Sequence, residues 1–154
     1  MAHINYKIDN TVEVYVVYKN KVLLRKHDKY GIWLSVGGHI EINEDANSAA
    51  IREVKEEVGL DVELYTETPL PTYEGYHMLV IPQSINQHKI NDTHNHIAQV
   101  YFAKSKTDNL ILSETEKSED CKWFTKEELD SSKYQIKEYI KDFAKIALEK
   151  LKTD

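Results

Sequence analysis

Three glutamates, Glu53, Glu56 and Glu57, are the first residues in this sequence whose spacing suggests chemistry. Separations of three and four residues bring them to one face of a helix, which advances about 100° per residue. Like charges so close destabilise an isolated helix by roughly 0.2–0.5 kcal/mol per pair, so a cation bound among them would be stabilising. Magnesium prefers oxygen ligands of this kind. The spacing therefore predicts a magnesium site. The alternative is a solvated acidic face on which Arg52 and Lys55 reduce the repulsion.

The helix that carries these glutamates has a predicted start, buried face and end. Asp45 or Asn43 is a suitable N-cap residue, and Gly59 suits the left-handed conformation that ends many helices. Ala49 is small and falls on the glutamate face, where it leaves room for metal and phosphate. We expect the glutamates to point outward while an apolar stripe packs on a sheet. The stripe consists of Ala50, Ile51, Val54 and Val58.

Residues 38–60 read GHIEINEDANSAAIREVKEEVGL and resemble the signature box of the Nudix hydrolases. Every fixed position of that pattern is filled, which makes the resemblance highly specific. Many relatives carry proline directly before the glycine pair, whereas Val36 takes that place here. The matching positions are Gly38, Glu44, Arg52, Glu53, Glu56, Glu57 and Gly59, with aliphatic residues at Val54 and Leu60.

The resemblance implies an enzyme that hydrolyses a diphosphate linkage in a nucleoside diphosphate joined to another moiety, with Mg²⁺ or Mn²⁺ as cofactor. Divalent ions on such a patch neutralise phosphate oxygens and lower the pKa of a bound water for in-line attack on phosphorus. Arg52 would orient Glu53 through an ion pair, and Glu44 would support this arrangement. The implied metal ligands are Glu53, Glu56, Glu57 and a backbone carbonyl of Gly37 or Gly38.

The general base can be assigned in more than one way. A glutamate of the patch can accept the proton from water, and Glu57 or Glu56 is favoured for this role. Some relatives place the role on a loop glutamate, for which Glu116 or Glu119 is a candidate here.

Substrate contacts are expected from residues outside the glutamate patch. His39 lies beside the glycine pair, close to the expected path of the phosphates. Tyr76 follows the box at a distance where relatives that act on dinucleoside polyphosphates tend to carry a tyrosine. Oxidised nucleoside triphosphates, nucleotide sugars and coenzyme derivatives all stay open, because substrate choice depends on loops outside the box.

Composition agrees with a compact intracellular enzyme. A length of 154 residues suits one domain with a substantial core, so we expect a single domain over residues 1–154. A net charge of −6 without a lysine- or arginine-rich tract argues against nucleic-acid polymers as partners and leaves a small-molecule nucleotide or diphosphate. One cysteine excludes an internal disulfide, and no segment resembles a signal core or a membrane span. We therefore expect a cytoplasmic protein without membrane association.

Strands are predicted around the glutamate helix, and a second long helix closes the chain. Thr125 begins a brief helix, and residues 133–152 form an amphipathic helix that packs on the sheet or on a second subunit, which leaves a homodimer open. These elements predict an α+β fold, an α/β/α sandwich of the Nudix type with a mixed β-sheet between helices. The predicted strands are 11–18, 22–25, 61–66, 76–81, 96–103 and 121–124, with a loop at 82–95.

Two histidines, His94 and His96, would share a face if they lie on a strand, and with His88 nearby a zinc site can be considered. No further ligand at a definable spacing is evident in the sequence. Hydrogen-bonded or substrate-facing histidines are therefore the favoured interpretation.

Two other classes of protein are built on similar scaffolds. A catalytically silent nucleotide-binding sensor would be expected to have lost some of Glu53, Glu56 and Glu57, which are all intact. An isomerase of small prenyl diphosphates would need a cysteine and a glutamate facing one pocket, and Cys121 is a poor candidate. Hydrolysis is therefore the favoured function.

Overall fold

The computed structural model describes residues 7–27, 30–112 and 118–154, with the backbone alone at Ser118 and Glu119. The elements within these segments are numbered in chain order. The strands are β1 (Ile8–Tyr18), β2 (Lys21–His27), β3 (Trp33–Leu34), β4 (Val36–His39), β5 (Val62–Leu64), β6 (Ser84–Asn91), β7 (His94–Ser105) and β8 (Ser118–Phe124). The helices are α1 (Ala46–Val58), α2 (Lys126–Leu129) and α3 (Glu138–Lys150).

Strand β1 is the centre of the sheet and gives it a mixed character. It runs parallel to β7 from Ile8 to Val17 and antiparallel to β4 at residues 11–14. A hairpin joins β1 to β2 through Lys19 and Asn20, which both adopt the positive φ of a tight turn. Strands β3 and β8 pair with β2, whereas β5 and β6 pair with β7. The described strands therefore form one mixed sheet.

Alternate residues of β1 face the two long helices, because successive side chains of a strand point to opposite faces. Val12, Val14 and Val16 are buried on the α1 side, and Tyr15 and Val17 are buried on the α3 side. The sheet therefore lies between helices, and the predicted α+β sandwich is confirmed. The helical residues that complete these two cores are Ala50, Val54 and Val58 of α1 and Ile140, Ala144 and Leu148 of α3.

The prediction of a loop at residues 82–95 was wrong. Residues 84–91 form strand β6, which pairs antiparallel with β7 over most of its length. The sequence did not reveal this strand because it lies on an edge of the sheet and is largely exposed, so most residues on both of its faces are polar. Its backbone hydrogen bonds, rather than an apolar pattern, hold it in place.

Two further elements differ from the prediction, one strand and the start of one helix. Residues 76–81 do not form a strand of the sheet, and the nearest regular feature is an isolated bridge between Tyr73 and Tyr76. Helix α3 begins at Glu138 instead of residue 133. The reason is that the preceding residues pair with β3: Ile136 forms a bridge with Trp33, whose amide donates to the Gln135 carbonyl. The other predicted strands and the brief helix after Thr125, which has a complete capping box with Glu128, are present.

No helix of the described segments is long and apolar enough to cross a membrane.

Candidate active site

Helix α1 is bounded as its sequence predicts. The Asp45 side chain accepts a hydrogen bond of 2.8 Å from the Ser48 amide, so Asp45 is the N-cap residue and Asn43 is not. Gly59 ends the helix with a φ of 74°, where its amide donates to the Lys55 carbonyl. The predicted apolar stripe is correct except at Ile51, which is 43% exposed.

The glutamates of α1 do not all point outward, contrary to the prediction. Glu53 is 2% exposed and Glu57 is 6% exposed, whereas the Glu56 side chain is about half exposed. The two buried side chains point toward β4, where a glycine pair leaves space for them. The acidic face is therefore divided between a buried part and a rim.

The glycine pair is required by this close approach of helix and strand. A Cβ atom on Gly38 would lie 2.3 Å from Oε1 of Glu53, and one on Gly37 would lie 2.1 Å from the Val12 carbonyl oxygen. The Gly37 amide also approaches Oε2 of Glu57 at 3.4 Å. Glycines here position both buried carboxylates against the β4 backbone.

Arg52 organises the carboxylates around it. Its Nε and Nη2 atoms donate to the two oxygens of Glu44 at 2.6 and 3.0 Å, a bidentate pair. Its Nη1 atom donates to Glu53 at 3.0 Å and to Glu56 at 3.1 Å. A further bond of 3.0 Å reaches the His39 carbonyl. The ion pair with Glu53 that the sequence suggested is thus present, within a larger network.

These contacts shift the pKa values of Glu44 and Arg52 so that the charged form of each is favoured. Hydrogen bonds from Arg52 hold the pKa of Glu44 below its usual range, and the same contacts, led by that with Glu44, raise the pKa of Arg52. Arg52 and Glu44 are therefore both charged at neutral pH. Because its guanidinium is rigid and planar, Arg52 can hold several carboxylates in a fixed arrangement.

Glu53 and Glu57 open onto a cavity of about 1070 Å³ on the α3 side of the sheet. Its basic groups include Arg25, whose Nε atom lies 3.2 Å from Oε2 of Glu57. Basic and apolar side chains thus share one space beside the buried carboxylates. The other basic residues are His27, His39, His88, Lys89, His96 and Lys137, and the apolar wall includes Leu34, Ile140 and Phe143.

Glu13 is a further acidic residue of this cavity, which the sequence analysis missed. Burial raises its pKa from 4.5 to about 7, and the Tyr139 hydroxyl donates a hydrogen bond to its Oε2 atom. It stands opposite Gly37 in the pairing of β1 with β4. A charged residue between the buried Val12 and Val14 is the sequence signal that would have revealed it.

The predicted substrate contacts fall in different places. His39 lies on the cavity wall as expected, whereas Tyr76 is 75% exposed and is absent from the described residues of that wall. Glu116 lies outside the described residues, as does the side chain of Glu119. Arg25, which contacts Glu57, was not identified from sequence because it belongs to a separate strand, β2.

The donor atoms of this site are all hard oxygens. The buried carboxylates of Glu53 and Glu57 lie beside the β4 backbone. A third carboxylate, that of Glu56, lies at the rim and accepts a hydrogen bond from Arg52. Oxygen ligands of this kind suit a hard divalent cation such as Mg²⁺ or Mn²⁺. The residues therefore fit the metal that the resemblance implies.

Comparison with known proteins agrees with this geometry. Residues 8–144 match the family model for the NUDIX domain. A solved structure of a hydrolase of the NUDIX family from Clostridium perfringens superposes with a TM-score of 0.81 and 35% identity, covering 95% of this chain and 98% of that one. A MutT NUDIX hydrolase from Burkholderia pseudomallei has the same fold, with a TM-score of 0.65 and 21% identity over 94% of this chain and 98% of that one.

Among curated proteins, a dihydroneopterin triphosphate diphosphatase from Escherichia coli strain K12 is 48% identical over 44 residues. This stretch is 29% of each chain, so the present chain spans less than a third of the length of that relative. The family model covers most of the chain, and its fold is that of the matched structures. The chain belongs to the Nudix hydrolase family, whose members hydrolyse diphosphate linkages.

Proposed function

We propose that this enzyme hydrolyses a diphosphate linkage in a nucleoside diphosphate joined to another moiety, with Mg²⁺ or Mn²⁺ as cofactor. The observation that supports this most directly is the burial of the Glu53 and Glu57 carboxylates against the glycine pair, at the edge of a cavity with basic side chains. Buried carboxylates are costly unless they are paired or bind a cation. Phosphate groups and a metal ion fit the same space.

In this proposal Glu53, Glu56 and Glu57 hold the metal, with a backbone carbonyl of Gly38. A bound divalent ion supplies neutralisation of phosphate charge and a lower pKa for the attacking water. Arg52 keeps Glu53 and Glu56 in place through hydrogen bonds of 3.0 and 3.1 Å. Preorganisation of this kind matters because misplacement by about 1 Å can lower a rate by about 100-fold.

Glu57 is the better of the two box glutamates for the role of general base. It lies on the cavity wall with Glu53, whereas Glu56 lies outside that wall and its side chain is about half exposed. The Arg25 guanidinium at 3.2 Å and the Gly37 amide at 3.4 Å restrain the Glu57 carboxylate. A base must reach the attacking water within hydrogen-bond distance, and the position of Glu57 on the cavity wall supports this role.

The cavity supports a substrate that carries both phosphates and a ring system. Lys89 and Lys137 can neutralise phosphate oxygens, and Phe143 with Ile140 offers an apolar surface for a ring. A volume of about 1070 Å³ is at the upper end of that of ordinary ligand pockets, so a whole nucleotide fits. The partial match to a dihydroneopterin triphosphate diphosphatase adds a pterin triphosphate to the compounds to be tried.

The test is release of phosphate, diphosphate or nucleotide from a panel of compounds, with Mg²⁺ or Mn²⁺. The panel contains nucleoside triphosphates, dihydroneopterin triphosphate, dinucleoside polyphosphates, nucleotide sugars, ADP-ribose and coenzyme A. We expect turnover of at least one class, lost in Glu56→Gln/Glu57→Gln and retained in Asp61→Asn, whose side chain is 90% exposed. Equal turnover in the double variant would contradict the assignment of the site. A folded, metal-binding protein inactive on every compound would favour the nucleotide-binding sensor.

A further inference from the structure

A second group of ligand-type side chains, separate from the glutamates of α1, borders the same cavity. Strand pairing places it there. Asp9 stands directly opposite His96 in the parallel pairing of β1 with β7, so their side chains share a face. His94 is two residues before His96 and shares that face as well. His39 stands opposite Thr11, two residues after Asp9, and so joins the same face. One carboxylate and three imidazoles are thus brought together from β1, β4 and β7.

Two of the distances within this group are close to those of a metal coordination shell. The Nε2 atom of His94 lies 3.4 Å from Oδ2 of Asp9, and the Nε2 atom of His39 lies 3.5 Å from the same oxygen. Donor atoms of Asp9, His94 and His96 all lie within 4.8 Å of one another. In a tetrahedral zinc site with bonds of about 2.0–2.1 Å, the ligand atoms are about 3.3–3.4 Å apart. The His94–Asp9 separation has this value and the His39–Asp9 separation is slightly longer, while the His96 donor lies within 4.8 Å of those of Asp9 and His94.

Burial adds to the geometric argument. Asp9 is 1% exposed and His94 is 5% exposed, and the His39 side chain is 12% exposed. A deeply buried carboxylate is stabilised by hydrogen bonds and nearby positive charge, and a divalent ion held among it and the imidazoles would add to that stabilisation. The three imidazoles favour a transition metal over magnesium, which prefers oxygen.

We propose that Asp9, His39, His94 and His96 form a closed tetrahedral site for Zn²⁺. The site is distinct from the glutamate site of α1, since it uses different side chains and a different donor chemistry. It borders the active-site cavity, because His39 and His96 also lie on the cavity wall. A zinc ion there joins β1, β4 and β7 beside the glycine pair. It also restrains His39, whose carbonyl accepts a hydrogen bond from Arg52.

The test uses Co²⁺ as a spectroscopic substitute for Zn²⁺. The full-length protein is stripped with a chelator and titrated with Co²⁺ in excess Mg²⁺, which occupies the oxygen-donor site. We expect one equivalent to give the intense visible bands of tetrahedral cobalt, and one equivalent of Zn²⁺ to abolish them. Weak octahedral bands, or no binding at all, would overturn the proposal, and the latter would leave Asp9 and the histidines as a metal-free ion-pair network.

Variants of the proposed ligands test which side chains bind the cobalt ion. His94→Gln/His96→Gln should lose the bands and weaken Co²⁺ binding at least about tenfold, with the fold checked by circular dichroism. His39→Gln changes a ligand that is less deeply buried than His94 and should weaken the bands too. It keeps the test independent if the double variant does not fold. Bands that survive in both variants would refute the ligand set.

Two controls separate this site from its surroundings. His88→Gln removes a histidine whose ring centre is 5.7 Å from that of His96 but which is not part of the proposed shell, and it should keep the bands. Glu56→Gln/Glu57→Gln should keep them as well. Loss of the bands in the glutamate variant would show that cobalt binds at the α1 site and would refute the proposal.

Discussion

Gly38→Ala should damage catalysis while sparing the fold. The added Cβ atom would lie 2.3 Å from Oε1 of Glu53, and ordinary contact begins at about 3.4 Å, so the carboxylate must move by about 1 Å. This carboxylate is the end of a flexible side chain, which makes the movement inexpensive for stability. Gly38 is not among the glycines with positive φ, so alanine adds no backbone strain. We expect the free energy of unfolding to change by less than about 1 kcal/mol.

The substitution should instead lower kcat/KM, because Glu53 is a proposed metal ligand. A displacement of about 1 Å predicts a kcat/KM about 100-fold lower on the best substrate of the panel. The assay is a comparison of kcat/KM and of urea unfolding curves for the two proteins. Wild-type kcat/KM in a folded Gly38→Ala protein would refute the reasoning.

Gly37→Ala is the matched control, since it adds the same methyl group one residue away. Its Cβ would lie 2.1 Å from the Val12 carbonyl oxygen, which is part of the β1 backbone and cannot rotate aside. This variant should therefore lose about 1–3 kcal/mol of stability. Equal losses of stability in the two variants would show that Glu53 does not absorb the clash at Gly38. In addition, Gly38→Ala and Glu53→Asp should be non-additive in a double-mutant cycle, because the two residues are in contact.

Three further outcomes test the site. Glu57→Gln should lower kcat by about 10²–10⁴-fold while Asp61→Asn does not, and an unchanged kcat would remove Glu57 as the base. Magnesium at ten times its Kd should stabilise the protein by about 1.4 kcal/mol, which corresponds to about 3–6 °C in Tm. Glu53→Gln should lose most of this stabilisation. A wild-type Tm that does not change with magnesium would argue against a preformed site. Burial raises the pKa of Glu13 from 4.5 to about 7, so the native state binds its proton more tightly than the unfolded chain and stability falls as pH rises through this window. Glu13→Gln should remove that fall, and parallel plots of Tm against pH for variant and wild type would refute it.

Local patterns in the sequence were sufficient for helix α1 and its ends. The N-cap, narrowed to Asp45 or Asn43, the stop at Gly59 and the ion pair of Arg52 with Glu53 all depend on residues close in the chain. The structure then identified Asp45 as the cap. Strand β6 could not be predicted in the same way, because its position depends on pairing with β7 and its own side chains are mostly exposed. The inward orientation of Glu57 was also missed, since it depends on the space left by two glycines in another element.

The sequence by itself was enough to identify the family, to predict an oxygen-donor metal site and to predict the sandwich of helices around a mixed sheet. These follow from spacing within one short segment and from periodicity, which operate over a few residues. Only the tertiary structure decided that Arg25 contacts Glu57, and that Asp9 meets His94, which lies 85 positions further along the chain. The physical reason is that strand register sets which distant side chains share a face, and register results from the packing of the whole sheet.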